Sequence, residues 1–403
     1  LSLSVMLQYG MLTGGSVSAM RAVCMFVLAI GARILGRSYD LLTALSASAI
    51  LLLINTPAYL YSSSFLLSFG AVAGLGIAAP MLDRLVDCEN GGIKIIISSF
   101  AVQLMTLPVI LRVYGEVSVL GLVLNLVILP TVSVVLTCGL VCSVVGFFSI
   151  RVAGIMLIPG NLLLLLYEKL CVLAGKIPFC TWIGGAPEIW RCVVYYGILA
   201  GGLWYASKMS KKRKYNQKRI LPCCICCGIL LLGVLFLGFR QRNILSISCL
   251  DIGQGDGIVI QLPGGKNIMV DGGSSNKKNI ASYQLLPYLK NQGISVIDAI
   301  LISHTDADHI SGVQELMDLK EKQLTTLHIK NLLLPEWKTQ DAVYCKLEEQ
   351  AERAGIKVLK LHQGQRFSFG NTSIEILSPE VGAEGEDVNE DGIVMELRHG
   401  EFR

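Results

Sequence analysis

Four side chains able to hold a divalent cation fall within six residues of this sequence, in the run Ser303-His304-Thr305-Asp306-Ala307-Asp308-His309. The run follows the apolar stretch Ile297 to Ile302 and precedes a segment, Ile310 to Leu319, whose pattern predicts a helix. A strand that ends in His-x-Asp-x-Asp-His and turns into a helix sets imidazoles and carboxylates at a strand's carboxyl end, where open α/β sheets bind ligands. The chain holds only five histidines, and two of them stand here five residues apart. That concentration favours metal ligation over a polar surface turn.

Two further segments belong with this run. Leu250-Asp251-Ile252-Gly253-Gln254-Gly255-Asp256-Gly257 places three glycines and two aspartates at a strand exit, where glycine lets the backbone bend tightly beside a site. Asp271-Gly272-Gly273 closes the next strand, and an aspartate there can orient a ligating imidazole through its other ring nitrogen. Either segment alone reads equally well as a turn; the combination with the His-Asp run is what points to a site.

The elements that must position these residues begin at Leu245. Strands are expected over Leu245 to Leu250, Ile258 to Leu262, Asn267 to Val270, Ile297 to Ile302, His328 to Leu334, Lys357 to Leu361, Arg366 to Phe369, Ser373 to Leu377 and Ile393 to Leu397. Helices are expected over Ile280 to Asn291 and Ala342 to Ala354, Pro263-Gly264-Gly265-Lys266 reads as a hairpin turn, and the acid-rich stretch Glu380 to Asp391 reads as a solvated loop. This is a layered α/β pattern. It stops at Arg403 in the middle of a hairpin and starts without a methionine, so a segment of a longer protein is expected.

The remainder is of a different character. Over all 403 residues, 53% are hydrophobic and 16% charged, with a mean hydropathy of +0.58, which excludes an ordinary soluble domain. All five histidines lie after Ile244, while eleven of thirteen cysteines lie before it; any disulfide in the later part would have to join Cys249 and Cys345, and none is expected. Apolar spans run from Val17 to Leu35, Leu41 to Thr56, Phe65 to Leu82, Ile93 to Val113, Val117 to Phe148, Val152 to Ala174, Trp190 to Ser207 and Ile220 to Phe239, giving seven to nine crossings. The Val117 to Phe148 run carries Pro130 near its middle, and a broken pair or re-entrant piece is expected there. Between the last two spans, residues 208–219 hold seven cations and no acid, which marks a cytoplasmic loop and sends everything after Arg240 to the other side. Arg21, Gln103 and Asn125 sit in or beside apolar spans, where polar groups either bond between helices or line a conduit.

The combination of LDIGQGD, MVDGG and SHTDADHISG resembles the metallo-β-lactamase-fold domain of ComEC-type DNA uptake proteins. TGGSVSAMRA, SSFLLSFGAVAGL, QLMTLP at Gln103 and LNLVILP at Asn125 are similar to the competence membrane domain of the same family. The resemblance implies a polytopic α-helical membrane domain (1–207), a basic cytoplasmic loop (208–219), a last transmembrane helix (220–239) and a truncated α/β domain of αββα type (240–403). It implies a bacterial inner-membrane channel component for single-stranded DNA, partnered by the lipid bilayer and other competence proteins, with homo-oligomerisation open.

Residue by residue, the resemblance makes His304, Asp306, Asp308 and His309 metal ligands, with Asp308 also steering a water in phosphodiester hydrolysis. Asp271 becomes a supporting residue, and Asp251 and Asp256 fall in the opening motif. Asp306 stands where lactamase relatives commonly carry histidine, and a carboxylate there shifts preference toward harder ions, so the expected cofactor is a divalent metal, zinc or manganese. Gly392 stands where relatives carry serine, and the family's later Gly-Asp and His are expected beyond Arg403. Two alternatives stay open: a membrane-anchored metallohydrolase acting on a small ester or lactam, and a domain that binds DNA without cutting it.

Overall fold

The computed structural model describes residues 2–87, 89–175, 177, 180–211, 220–240, 243–338, 341–384 and 391–403. The chain divides into two compact units, one of Leu1–Val113, Val117–Trp182 and Pro187–Gly238, the other of Tyr114–Glu116, Ile183–Ala186 and Phe239–Arg403. Most of the basic loop, residues 212–219, lies outside the described residues.

The first unit is helical. Among the described residues, six helical stretches are long and apolar enough to cross a membrane: Val17–Ile34, Ser63–Val86, Gly91–Tyr114, Val123–Gly146, Ile150–Gly175 and Leu221–Gly238. That is fewer than the seven to nine spans expected. Leu41–Asn55 is helical but only 15 residues long, short of the roughly 20 that a bilayer core requires. The segment after Trp190 is also a helix, Ile189–Lys211, but its basic end and scattered polar residues dilute its apolar run. Pro130 does not break its span: Gly121–Gly146 is one continuous helix. Proline removes a single N–H, the one that would meet the Leu126 carbonyl; separately, the Thr131 hydroxyl binds the Val127 carbonyl at 2.5 Å and faces Tyr167 Oη on the next helix at 2.6 Å. A two-stranded sheet, β1 (Glu116–Ser118) with β2 (Thr181–Ile183), completes the small elements.

Glycine-mediated approach explains part of the packing. A Cβ at Gly74 would stand 2.9 Å from Val102 Cα, and one at Gly76 would meet Leu42, whereas Gly197 and Gly201 have open space around them. Buried Val17, Met25, Leu45, Leu52, Phe65 and Phe69 hold the first helices together.

The second unit is layered. A six-stranded sheet runs in the order β3 (Ser246–Cys249), β4 (Gly257–Leu262), β5 (Lys266–Asp271), β6 (Val296–Leu301), β7 (His328–Pro335), β8 (Lys357–Leu361). The first three strands are antiparallel and β5 through β8 are parallel, so the carboxyl ends of β5, β6 and β7 lie along one edge. A three-stranded sheet of β9 (Arg366–Phe369), β10 (Thr372–Ser378) and β11 (Val394–His399) is antiparallel in the order β11-β10-β9. Strand alternation sets the layers. Val259, Met269 and Ile300 point into a core with the helices, while Ile260, Ile268, Val270 and Leu301 share a second core with Ile374, Ile376 and Ile393 of the small sheet.

The helices are Leu286–Asn291, Ala307–Glu321 and Ala342–Arg353, the first preceded by a wide π turn over Ala281–Leu285. Helix Ala307–Glu321 begins three residues earlier than the apolar pattern suggests, drawing Ala307, Asp308 and His309 into its first turn. Cys249 and Cys345 are free thiols.

Candidate metal centre

Three chain segments meet at the carboxyl ends of β5 and β6. Asp271, the last residue of β5, is 3% exposed and sits at φ +55°, a left-handed conformation that aspartate tolerates better than branched residues do. Its carboxylate is the hub. Oδ1 accepts the Ser303 backbone N–H at 2.8 Å, Oδ2 accepts the Ser303 hydroxyl at 2.7 Å, and His309 Nδ1 lies 3.0 Å from Oδ2. Ser303 Oγ is also 3.0 Å from His304 Nδ1 and 3.2 Å from His309 Nδ1. The two imidazole rings stand with centroids 3.9 Å apart, tilted by 48°.

This network fixes the tautomers. A carboxylate only accepts, and the single Ser303 proton goes to it, so each imidazole must carry its own hydrogen on Nδ1. In the neutral rings both Nε2 atoms then present bare lone pairs. Each meets an oxygen that also carries only lone pairs: His304 Nε2 lies 3.5 Å from Asp306 Oδ2, and His309 Nε2 lies 3.7 Å from Asp256 Oδ2. Such an arrangement repels unless a proton or a cation stands between the partners. The electrostatics agree for His309, whose pKa is raised chiefly by the hydrogen bond to Asp271, with the charges of Asp271, Asp308 and Asp256 adding and burial opposing.

Asp306 occupies the cap position of helix Ala307–Glu321, yet its carboxylate makes no capping hydrogen bond. Capping aspartates usually accept a first-turn N–H, a contact that contributes about 1 kcal/mol. Here the carboxylate turns to His304 instead. Asp308 lies in the first helical turn, where the helix dipole favours negative charge.

Glycine lets the loops close over the site. A Cβ at Gly255 would collide with the carbonyl oxygens of Gly273 and Asp308, and one at Gly273 would stand 2.6 Å from the His309 backbone. The contact is sealed by Asp256 N–H to Asp308 O at 3.2 Å and Gly272 N–H to His309 O at 3.0 Å.

The structure thus brings His304, Asp306, His309, Asp256 and Asp271 together, with Asp308 on the same first turn. It does not bring Asp251 to them by any described contact: that side chain is 97% exposed and pairs with Lys277 at 3.4 Å. In the helical unit Arg21 donates to Ser68 Oγ at 2.6 Å and stands over the Phe69 ring, Gln103 reaches the Ser118 carbonyl at 3.4 Å, and Asn125 is half-buried in helix Gly121–Gly146. Sequence reasoning gave Ser303 no role, although it opens the motif; its place directly before the first histidine is the signal that could have found it.

The donor set fits a divalent cation in kind: two imidazoles with Nδ1 tied back and Nε2 turned to carboxylates. It does so as two pairs. Among the described residues, no three His, Cys, Asp or Glu side chains converge closely enough to enclose an ion.

Fold and site define a metallo-β-lactamase-fold domain carried by a multi-pass membrane protein, and the metallo-beta-lactamase superfamily profile matches residues 250–344. The fold implies a divalent metal. The competence protein profile matches residues 1–209, more than half of the chain, and the chain belongs to that family. It is 22% identical over 386 residues to ComE operon protein 3 of Bacillus subtilis, covering 92% of this chain and 48% of that protein. It is 28% identical over 346 residues to Recombination protein 2 of Haemophilus influenzae, covering 77% of this chain and 42% of that one. The chain spans about half the length of these relatives. Among solved structures, similarity extends to the metallo-beta-lactamase fold protein YhfI of Bacillus subtilis (18% identity, 37% of this chain and 53% of that one, TM-score 0.25) and to Zn(2+)-bound PqqB of Methylobacterium extorquens (13%, 36% and 50%, TM-score 0.24).

Proposed function

We propose that this chain serves DNA uptake in natural transformation, as a membrane channel component for single-stranded DNA with a metal-dependent, nuclease-like domain on the extracytoplasmic side. The competence family supports the transport half. One observation carries the chemical half: the Asp271–Ser303 lock ties back the Nδ1 atoms and turns both Nε2 atoms to carboxylates.

In this reading residues 1–207 form the membrane domain, 208–219 the cytoplasmic loop, 220–239 the last crossing and 240–403 the hydrolase-like domain. The seven cations of the loop support that orientation. His304, Asp306, Asp308 and His309 hold the cation, zinc or manganese, since imidazole suits zinc and carboxylate the harder ion. When bound, such a cation supplies hydroxide near neutral pH and offsets charge on a phosphate oxygen. The chain's own residues do the rest. Asp271 keeps the proton on His309 Nδ1, Ser303 holds both rings in register, and Asp308 accepts a hydrogen bond from the attacking water. Asp256 and Asp271 are supporting residues, and Asp251 lies at the rim. Arg21, Gln103 and Asn125 are the conduit residues, and other competence proteins are the partners.

Deleting the gene abolishes transformation without affecting growth, and normal transformation in the deletion strain contradicts the proposal. Substituting Gln103 and Asn125 lowers uptake while cation-dependent DNA cleavage persists; unchanged uptake leaves the spans as a mere anchor for a hydrolase of small substrates.

A further inference from the structure

One flank of the metal centre carries features that cation binding does not use. Residues 240–403 hold more acids than bases, yet the chain between Asp271 and Asp298 has no acid and contains Lys277, Lys278 and Lys290. A polyanion approaching a net-negative domain settles where the local field is positive. This stretch begins at the hub carboxylate of the site itself.

The segment is fastened on two sides. Ser274 N–H donates to Ser311 Oγ at 2.9 Å, and the Asn279 and Ala281 N–H groups donate to the two Glu315 carboxylate oxygens at 3.0 Å each, so helix Ala307–Glu321 holds it from one side. The opening loop holds it from another: Ser275 N–H donates to the Gln254 carbonyl at 2.8 Å, and Gln254 N–H to Asn276 Oδ1 at 3.0 Å.

Lys277 is positioned rather than loose. Its ammonium lies 3.3 Å from the Asp251 carbonyl, 3.4 Å from Asp251 Oδ1 and, with the Gln284 amide turned so that both its ends find partners, 3.2 Å from Gln284 Oε1. Its stem crosses Gly253, where a Cβ would stand 3.0 Å from Lys277 Cε. Gly253 and Asp256 are at most about 11 Å apart along the chain, and Asp256 reaches His309 Nε2 at 3.7 Å. Lys278 is exposed and, among the described residues, has no ion-pair partner.

Tyr283 completes the strip. It is 75% exposed on the wide π turn Ala281–Leu285, while Ile280, Ala281 and Leu285 are buried. Among the described residues between Leu250 and Leu361 it is the single exposed Phe, Tyr or Trp. Ammonium groups beside a free aromatic face suit an unpaired nucleic-acid strand: the cations follow the phosphates, and a base with an open face stacks on the ring. Duplex bases are already stacked and offer no such face.

We propose that the strip from Gln254 through Lys277 and Lys278 to Tyr283 binds an unpaired DNA strand beside the metal centre, a base on the Tyr283 ring and phosphates at the two lysines. This rests on the reading of the chain as one that handles DNA. Asp251 occupies Lys277 when no strand is bound. An exposed ion pair of this kind contributes little and gives way to a phosphate.

The test measures fluorescence anisotropy of the full chain in lipid nanodiscs with a labelled oligothymidylate, in chelator, so that neither cleavage nor the cation site contributes. Tyr283→Ala should weaken binding about tenfold, the loss of one stacked base, while Tyr283→Phe binds as wild type and a base-free phosphodiester oligomer binds all three alike. Lys277→Gln and Lys278→Gln should each lower the slope of log affinity against log salt by about 0.7. Asp251→Asn frees Lys277 and should tighten binding. With 5-iodouracil in the strand, irradiation should cross-link the peptide that contains Tyr283. Cross-links confined to the membrane helices, with Tyr283→Ala binding as wild type, overturn the strip even where deleting the gene abolishes transformation. Cross-linking at Tyr283 in a chain whose deletion leaves transformation normal sustains the strip and contradicts the transport reading alone. Equal losses in Tyr283→Ala and Tyr283→Phe, or the same loss for the base-free oligomer, overturn the stacking assignment.

Discussion

Polar residues are handled in opposite ways in the two units of this molecule. In the helical unit they are dispersed and satisfied by near neighbours: Arg21 by Ser68, Gln103 by a backbone carbonyl, Thr131 by its own helix and Tyr167. In the α/β unit they are concentrated, and one buried carboxylate organises a serine and two histidines so that two ring nitrogens are left without a donor. A polar group tied by a single neighbour joins helices and keeps further hydrogen-bonding capacity, as a conduit lining requires. A cluster tied back on one side and facing carboxylates on the other has the donor set of a cation site, and that contrast separates the two kinds of polarity here.

The comparison breaks most readily at Asp271. Asp271→Ala strands the Ser303 N–H and hydroxyl and the His309 Nδ1–H, and should destabilise the α/β unit by about 3 kcal/mol or more. Hydrogen exchange in peptides covering 303–310 of the full chain is the readout. Asp271→Asn keeps an acceptor and the left-handed backbone, and loses less. Next in size is Ser303→Ala, which leaves the ligands in place and His309 tied to Asp271 but releases the His304 ring. Cation affinity should fall about 10- to 100-fold, measured by titration with zinc or manganese.

The pH dependence of the cation-free protein follows from His309. Its folded pKa lies above the ordinary 6.5, so the protonated ring stabilises the folded state fully below that value, and this contribution is lost as pH rises through the raised pKa. Unfolding scans without metal should show stability of the α/β unit declining across that window. His309→Gln should flatten the decline.

The helical unit sharpens the contrast from the other side. Thr131→Val removes the bond to Tyr167 and should cost only about 0.6 kcal/mol, the usual scale for one hydrogen bond between membrane helices. Smallest of all is Asp251→Ala. Its carboxylate is solvated and tied only to Lys277, so cation affinity and unfolding temperature should both stay at wild-type values.

The α/β unit was more legible in the sequence than the helical one, for a physical reason. Strand alternation and turn glycines mark element ends closely, so Lys357–Leu361 and Arg366–Phe369 fall where the pattern places them. The His-Asp run marked the candidate site because its members are neighbours in sequence. Ser303 stayed silent, since a serine's role depends on what a distant strand brings to it, here Asp271 across 32 residues. In the helices, uniform apolarity erases the period that would locate ends and faces. Pro130 read as a break, yet a proline removes only one N–H and the helix runs on through it, and the span expected over Leu41 to Thr56 holds to within one residue but is a helix of only 15 residues.

The most direct test of the central claim is X-ray absorption at the zinc edge, performed on the purified full chain after zinc loading and removal of excess. The account predicts bound zinc whose scattering requires two imidazole nitrogens together with carboxylate oxygens, and one fewer imidazole in His304→Ala. A chain that retains no zinc, or zinc whose surroundings contain no imidazole, would contradict it.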